Sequence, residues 1–275
     1  MKILRFIILF PLTILLFVVG IYPFTFNVSQ YRTKNPEMTA MMKFRIKQWE
    51  KQGKKITIRY RFVPLSQISP YLIKAVLIAE DDKFYHHEGF DLEGLKKALE
   101  KDLKNKKFKY GGSTISQQLA KNLFLSPRKS LIRKLQEAVL TIRIEKLLTK
   151  KRILELYLNV AEWGPGIFGA EAAANYYFGK SAKDLSPWES ALLAAVLPRP
   201  LKYSPSNPSP YVQRRASKIL YIMKRRGIVS EEYTEVEKET QDITEGAQQD
   251  SIIKADSSVN LEQLNPVDSL KQEAN

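Results

Sequence analysis

Between residues 65 and 227 one amphipathic or apolar helix signal follows another, with short polar breaks and no internal repeat. This pattern confines the chain to a mainly α fold around one helical core. The spacing predicts an apolar helix over residues 69–80, another after Asp91, a third from about Ser113, a long one over 128–149 and a further one over 151–160. Ser186-Pro187-Trp188-Glu189 is a capping box with proline at the first helical position, opening an apolar helix that ends at Leu197. A last helix covers about 211–226 and stops at Gly227. Upstream, residues 56–62 alternate as Ile-Thr-Ile-Arg-Tyr-Arg-Phe and predict a short strand. Asn35-Pro36 has the form of an N-cap with proline after it. Met38, Met41, Met42 and Trp49 then recur at helical spacing among Lys43, Arg45 and Lys47. Two readings fit this segment equally: an amphipathic helix on a membrane surface, or a packing face against the domain.

Residues 6–26 are uncharged and mostly apolar, long enough for a helix to cross the hydrocarbon layer of a membrane. Met1, Lys2 and Arg5 put the positive charge on the short side, which places that end in the cytoplasm and the rest outside. A cleaved signal peptide is the competing reading, disfavoured because the stretch is long and no Ala-x-Ala-like site follows. The chain therefore divides into a cytoplasmic end and anchor (1–30), a juxtamembrane segment (31–58), a helical domain (59–229) and an acidic tail (230–275). The tail, rich in Gln, Ser and Asn, is expected to be disordered. Its 12 acidic and 3 basic residues give −9, so the net charge of +15 leaves +24 on the first 229 residues. A body that basic suits anionic lipid or phosphorylated substrates, and the anchor argues for these over nucleic acid. Cysteine is absent, which excludes disulfides, a thiol nucleophile and thiolate metal sites.

Three segments carry the chemistry. Residues 111–122 read Gly-Gly-Ser-Thr-Ile-Ser-Gln-Gln-Leu-Ala-Lys-Asn. The glycines permit a tight turn, and the Ser/Thr pair can cap the following helix and leave its free N–H groups facing an anion. Gln117, Gln118, Lys121 and Asn122 add polar groups for a negatively charged ligand. Residues 80–91 read Glu-Asp-Asp-Lys-Phe-Tyr-His-His-Glu-Gly-Phe-Asp, a burst of carboxylates where the helix dipole prefers cations. Glu80 follows Leu77, Ile78 and Ala79, so apolar surroundings would raise its pKa and suit it to act as a base. Asp82, Lys83 and Glu88 read as a solvated turn. Glu137 stands three residues after Lys134 and four after Arg133, on one helix face. Taken alone this spacing reads as ordinary surface ion pairs. With the second carboxylate, the glycine-rich segment and the anchor it reads otherwise: two carboxylates with Arg and Lys nearby are what glycosyl transfer with a diphosphate leaving group needs.

In these motifs the chain resembles the peptidoglycan glycosyltransferases, specifically the monofunctional biosynthetic type. The resemblance continues through residues 150–159, 164–169, 177–180 and 185–205, and it covers roughly 60 to 225. Ser116 and Thr149 stand where the family usually has Thr and Ser. The resemblance implies a lysozyme-like helical glycosyltransferase domain behind a single transmembrane helix. It implies polymerisation of lipid-linked disaccharide-pentapeptide (lipid II) at the bacterial plasma membrane, on the periplasmic or extracytoplasmic side. Partners are then lipid II, the growing glycan strand, the membrane and other wall-synthesis proteins, with no nucleic acid. By the same resemblance Glu80 is the general base, and Glu137 positions the donor diphosphate directly or through a divalent cation, Mg or Mn. No organic cofactor is implied. Ser113, Thr114, Gln117, Gln118, Lys121, Asn122, Arg133, Lys134, Lys150 and Arg152 are implied substrate contacts. Asp81, Phe84, His87, Gly89 and Asp91 hold the Glu80 loop, and Glu155 and Asn159 brace helices. Residues 104–110 form a candidate flap over the cleft. Ser251-Ile252-Ile253-Lys254 spells the Ser-x-x-Lys pattern of a transpeptidase but lacks a Lys-Thr-Gly partner, so it reads as chance. The rivals are a lysozyme-like hydrolase, which needs no diphosphate cradle, and a basic membrane adaptor, which needs no carboxylate pair.

Overall fold

The computed structural model describes residues 10, 17–96, 100, 112–127 and 130–230. The expected flap, the tail beyond Ser230 and residues 1–9 and 11–16 of the expected anchor lie outside the described residues. Contacts divide the chain into Met1–Arg225 and Arg226–Asn275, and only the start of the second unit is described. The first unit is mainly helical: α1 (Ala40–Lys51), α2 (Pro70–Glu80), α3 (Ile115–Phe124), α4 (Leu131–Leu147), α5 (Lys150–Val160), α6 (Ala170–Phe178), α7 (Pro187–Val196) and α8 (Pro210–Arg225). Among the described residues, no helix is long and apolar enough to cross a membrane.

Local chemistry sets most of these boundaries. Ser69, Thr114, Ser130, Thr149 and Ser186 each accept a backbone hydrogen bond at the N-cap of the helix that follows. Pro70 and Pro187 occupy first-turn positions, where the missing N–H costs nothing. The capping box expected at Ser186 and Glu189 forms, the Glu189 carboxylate accepting from Ser186 N at 2.8 Å. Asn35 is not the N-cap of α1. That position is Thr39, whose hydroxyl accepts from Met42 N at 3.2 Å, and Asn35 accepts instead from Arg152.

The helices pack in two groups. α7 lies against α2 and α8, and α3 lies against α4 and α5. α7 buries apolar residues nearly all round, as a central helix must. The core gathers Leu72 and Val76 of α2, Ile115 and Leu119 of α3, Leu140 and Ile144 of α4, Ile153 and Leu154 of α5, and Leu193 of α7. α1 settles the choice left open by its sequence: Met42 is buried, packs with Phe168, and the helix rests on α3. Only Met38 of its apolar set is exposed.

A small sheet of order β1-β3-β2 completes the unit, with β1 (Arg59–Tyr60), β2 (Glu162–Gly164) and β3 (Ile167–Phe168). β1 pairs parallel to β3 in the register Arg59 with Ile167, and it is shorter than the seven-residue alternation suggests. The β2–β3 hairpin and α6 were not expected from sequence. The hairpin is two short fragments, Glu162–Gly164 and Ile167–Phe168, around a Gly-Pro-Gly turn in which Gly166 takes φ +77, too short for a periodic signal. α6 is Ala-rich, with little contrast between its faces.

Candidate active site

Glu80 closes α2, and the next residue, Asp81, leaves helical geometry at φ −163 and ψ 75. The Glu80 side chain is 11% exposed, and both its oxygens accept hydrogen bonds. Gln118 Nε2 of α3 donates to Oε2 at 2.9 Å, and Arg215 Nη2 of α8 donates to Oε1 at 3.3 Å. Tyr157 of α5 donates its hydroxyl to Gln118 Oε1 at 3.2 Å, which sets the amide so that its nitrogen faces Glu80. Burial pushes the Glu80 carboxyl above its ordinary value, against the opposing pull of Gln118, Arg215 and Lys121. Burial likewise holds the Tyr157 hydroxyl protonated well above the usual phenol range, and the Glu80 and Asp81 charges act in the same direction.

The turn after Glu80 is braced from within. Asp81 is buried and accepts from His87 Nε2 at 2.9 Å and from Ile115 N at 2.9 Å. Gly89 N donates to His87 Nδ1 at 3.1 Å, so that nitrogen is an acceptor and Nε2 carries the proton shared with Asp81. His87 is therefore held in one tautomer as a strut. Phe84 is fully buried beneath it. Gly89 sits at φ +92, and a β-carbon there would fall 2.8 Å from Thr141 Cγ2 of α4. Asp91 Oδ1 accepts from Gly94 N at 2.8 Å. Asp81, Phe84, His87 and Gly89 form one cluster, whereas Asp91 bonds the residues that follow it and shares with Glu80 the lining of a cavity.

The amino end of α3 differs from expectation. Thr114 and Gln117 form a capping box, in which Gln117 Oε1 accepts from Thr114 N at 3.0 Å and Thr114 Oγ1 accepts from Gln117 N at 3.2 Å. Thr114 Oγ1 also donates to Gly89 O at 2.6 Å. With Ile115 N bonded to Asp81, the N–H groups of Thr114, Ile115 and Gln117 are taken up by the protein itself, which leaves this helix end less open to an anion than its sequence suggests. Asn122 is buried and lines neither of the cavities beside Glu80 and Lys134.

Positive charge gathers further along. Arg133 Nη1 donates to Glu137 Oε2 at 2.6 Å, and Lys134 Nζ pairs with the other oxygen while standing 3.3 Å from Ser113 Oγ. Lys121 of α3 senses the charges of Glu137, Arg133, Lys134 and Glu80, and burial lowers its pKa. Among the described residues its ammonium has no hydrogen-bond or ion-pair partner. A cavity of about 320 Å³ is lined by Glu80, Asp81, Asp91, Leu95, Gly112 and Ser113. A second, of about 200 Å³, shares Asp91, Leu95, Gly112 and Ser113 and ends at Lys134. The two form one trough from the buried carboxylate to the cations.

Two expected substrate contacts are elsewhere. Arg152 donates to Tyr31 O, Lys34 O and Asn35 Oδ1, each at 2.8 Å, and pairs with Glu155. Its guanidinium is filled by the segment preceding α1. Lys150 pairs with Glu145 at 2.8 Å and lies over the Phe84 ring at 4.5 Å. Glu155 and Asn159 brace as expected, Glu155 accepting from Leu65 N at 2.8 Å and Asn159 bonding both polar backbone groups of Val63 at 2.9 Å.

Arg215, Tyr157 and Glu145 were missed. Arg215 had a sequence signal: it falls three residues after Val212 and four before Ile219, on the stripe that α8 buries. A cation on the apolar face of an amphipathic helix violates the pattern, and such violations mark sites. A metal fits poorly here. Both oxygens of Glu137 are held by cations, so a metal there would have to displace Arg133 and Lys134.

The family model described as Transglycosylase matches residues 49–224. A biosynthetic peptidoglycan transglycosylase of Azoarcus sp. (strain BH72) is 53% identical over 180 residues, 66% of this chain and 78% of the relative. One of Nitrosomonas eutropha (strain DSM 101675 / C91 / Nm57) is 44% identical over 212 residues, 76% of this chain and 87% of the relative. One of Neisseria gonorrhoeae is 43% identical over 201 residues, 73% of this chain and 85% of the relative.

Proposed function

The chain belongs to the transglycosylase family, and from that premise we propose that it extends peptidoglycan glycan strands by transfer from lipid-linked disaccharide-pentapeptide. It is a glycosyltransferase. The observation that carries the assignment of roles is the lining of Asp91, Leu95, Gly112 and Ser113 shared by the cavity at Glu80 and the cavity at Lys134, with Lys121 of α3 close enough to both groups to feel their charges.

Glu80 takes the proton from the sugar 4-hydroxyl of the incoming unit. That oxygen attacks the anomeric carbon of the growing strand, the bond to the polyprenyl diphosphate breaks, and its electron pair leaves on the diphosphate with inversion at carbon. Lys121, whose ammonium has no hydrogen-bond or ion-pair partner among the described residues, and Lys134 neutralise the departing phosphates. Glu137 holds Arg133 and Lys134 in place. No step passes through a metal, because a cation at Glu137 would have to displace both basic partners.

Residues 6–26 cross the plasma membrane, with the catalytic unit on the outer side. Two features support a membrane setting for the catalytic unit. The described end of that segment is tied to α4, Gln136 Nε2 donating to Val18 O at 2.9 Å and Arg143 Nη1 to Phe26 O at 3.0 Å. Beside it, Phe17, Ile21 and Phe24 together with Leu131, Ile132 and Leu135 of α4 are exposed, an apolar surface suited to lipid.

The test is purified protein mixed with fluorescent lipid-linked precursor. Polymer ladders support the assignment, whereas shortening of preformed glycan without ladders means a hydrolase. Neither product means a binding protein.

A further inference from the structure

The mechanism needs Glu80 as a base, yet α2 delivers its carboxylate into a place that disfavours the charge. It is buried, it terminates a helix whose carbonyl end is negative, and the next residue is Asp81. Arg215 answers each of these from a distant point in the chain. Its Nη2 donates both to Glu80 Oε1 at 3.3 Å and to Ala79 O at 3.1 Å, a carbonyl of the last turn of α2. Its Nε is buried with no hydrogen-bond partner, a cost borne without any local return. The packing of α8 against α2 and α7 sustains that arrangement.

We propose that Arg215 is a positioning residue for glycosyl transfer, bridging the end of α2 to the Glu80 carboxylate so that the base is charged and oriented toward the trough. The inference rests on the glycosyltransferase reading above. The other groups that face Glu80 are known from each neighbouring element. Gln118 and Lys121 come from α3, Tyr157 from α5, and Asp81 from the chain itself, while Asp82, Lys83 and Asp91 line the same cavity. The one ionisable side chain of α7 is Glu189, paired with Lys180 at 2.7 Å. Arg215 is the one full positive charge in direct contact with Glu80 among the described residues. Gln118, held by Tyr157, supplies orientation to the second oxygen but no charge.

A purely structural arginine, capping α2 through Ala79 O, would make a different prediction, and three variants separate the two. Arg215→Gln retains a donor for the carbonyl but loses the charge, Arg215→Lys retains the charge, and Arg215→Met loses both. In full-length protein whose folding is verified by thermal denaturation, kcat and KM are read across pH with lipid-linked precursor. Arg215→Gln is expected to lower kcat about tenfold or more at neutral pH while KM stays within about twofold. Its acidic limb should move up by roughly one pH unit, as loss of a contacting opposite charge requires. Arg215→Lys should return the limb toward the parent. Should Arg215→Met not fold, the Gln and Lys variants suffice. An acidic midpoint identical in the parent, Gln and Lys proteins overturns the proposal, whatever the loss of rate. Absence of polymer from the parent overturns the functional reading instead.

Discussion

Asp81 Oδ2 accepts a hydrogen bond of 2.9 Å from the backbone N–H of Ile115, so the amino end of α3 is closed by a carboxylate of its own chain. The contact couples the residue beside the base to the helix that carries Gln118 and Lys121. It also takes up one of the N–H groups that a diphosphate at that helix end would use, and shifts weight to the cations further along α3 and α4. Asp81→Ala should destabilise the protein by about 2–3 kcal/mol, since it leaves a helix N–H and the His87 donor unpaired. Asp81→Asn, which still accepts a hydrogen bond, should recover part of the loss. Thermal denaturation of both variants decides it: equal melting temperatures in Asp81→Ala and the parent would refute the coupling.

Glu80→Gln should keep the shape and one of the two donated hydrogen bonds, since its amide has a single acceptor for Gln118 or Arg215, while removing the base. Polymer formation is expected to fall by about 10² or more, as loss of a general base requires. Binding of the precursor, followed by a fluorescence titration, should survive within a few-fold. A Gln variant that polymerises at the parent rate removes Glu80 from the mechanism.

The pH dependence follows from the direction of the Glu80 shift. Activity should fall as pH descends through a midpoint above the usual carboxylate range. For stability the sign is opposite. A carboxyl whose folded pKa is raised favours the folded state when protonated, so its contribution is present below the unfolded pKa and is lost as pH rises through the folded one. Competence is thus gained in the interval where this group's stability is given up. Melting curves of parent and Glu80→Gln across pH should differ by that decline, which the Gln protein lacks.

Lys121 carries the complementary prediction. Burial lowers its pKa, so the alkaline limb of the rate profile should lie below the ordinary lysine range. Lys121→Arg, charged throughout, should move that limb upward. Lys121→Gln should raise KM for the donor about tenfold or more, the cost of one charge-assisted contact to phosphate. Steady-state kinetics across pH read both, and an unchanged KM in the Gln protein would take Lys121 out of the donor site.

Arg152 should behave as a strut. Arg152→Ala removes the bonds to Tyr31 O, Lys34 O and Asn35 Oδ1, and a loss of about 1–3 kcal/mol is expected. KM at permissive temperature should equal that of the parent. A raised KM in a protein of unchanged melting temperature would restore Arg152 as a substrate contact.

The amino-acid sequence by itself determined the capped helices, the buried apolar stripes and the two short acidic motifs, because capping, periodicity and local charge act over a few residues. Glu80 was legible as a base from its apolar neighbours in α2, and Asp81, His87 and Gly89 as the turn that holds it. The tertiary structure alone decided which polar groups were free. Thr114 and Gln117 look like ligand contacts in a motif, yet they are consumed by the cap of α3. Arg152 resembles Lys134 in composition but faces the strap before α1. Arg215 reaches Glu80 across 135 positions of chain, through helix packing that no local pattern encodes. A hydrogen bond or ion pair uses up a group only when the fold brings a partner to it, so the difference between a binding residue and a brace is a property of three-dimensional neighbours.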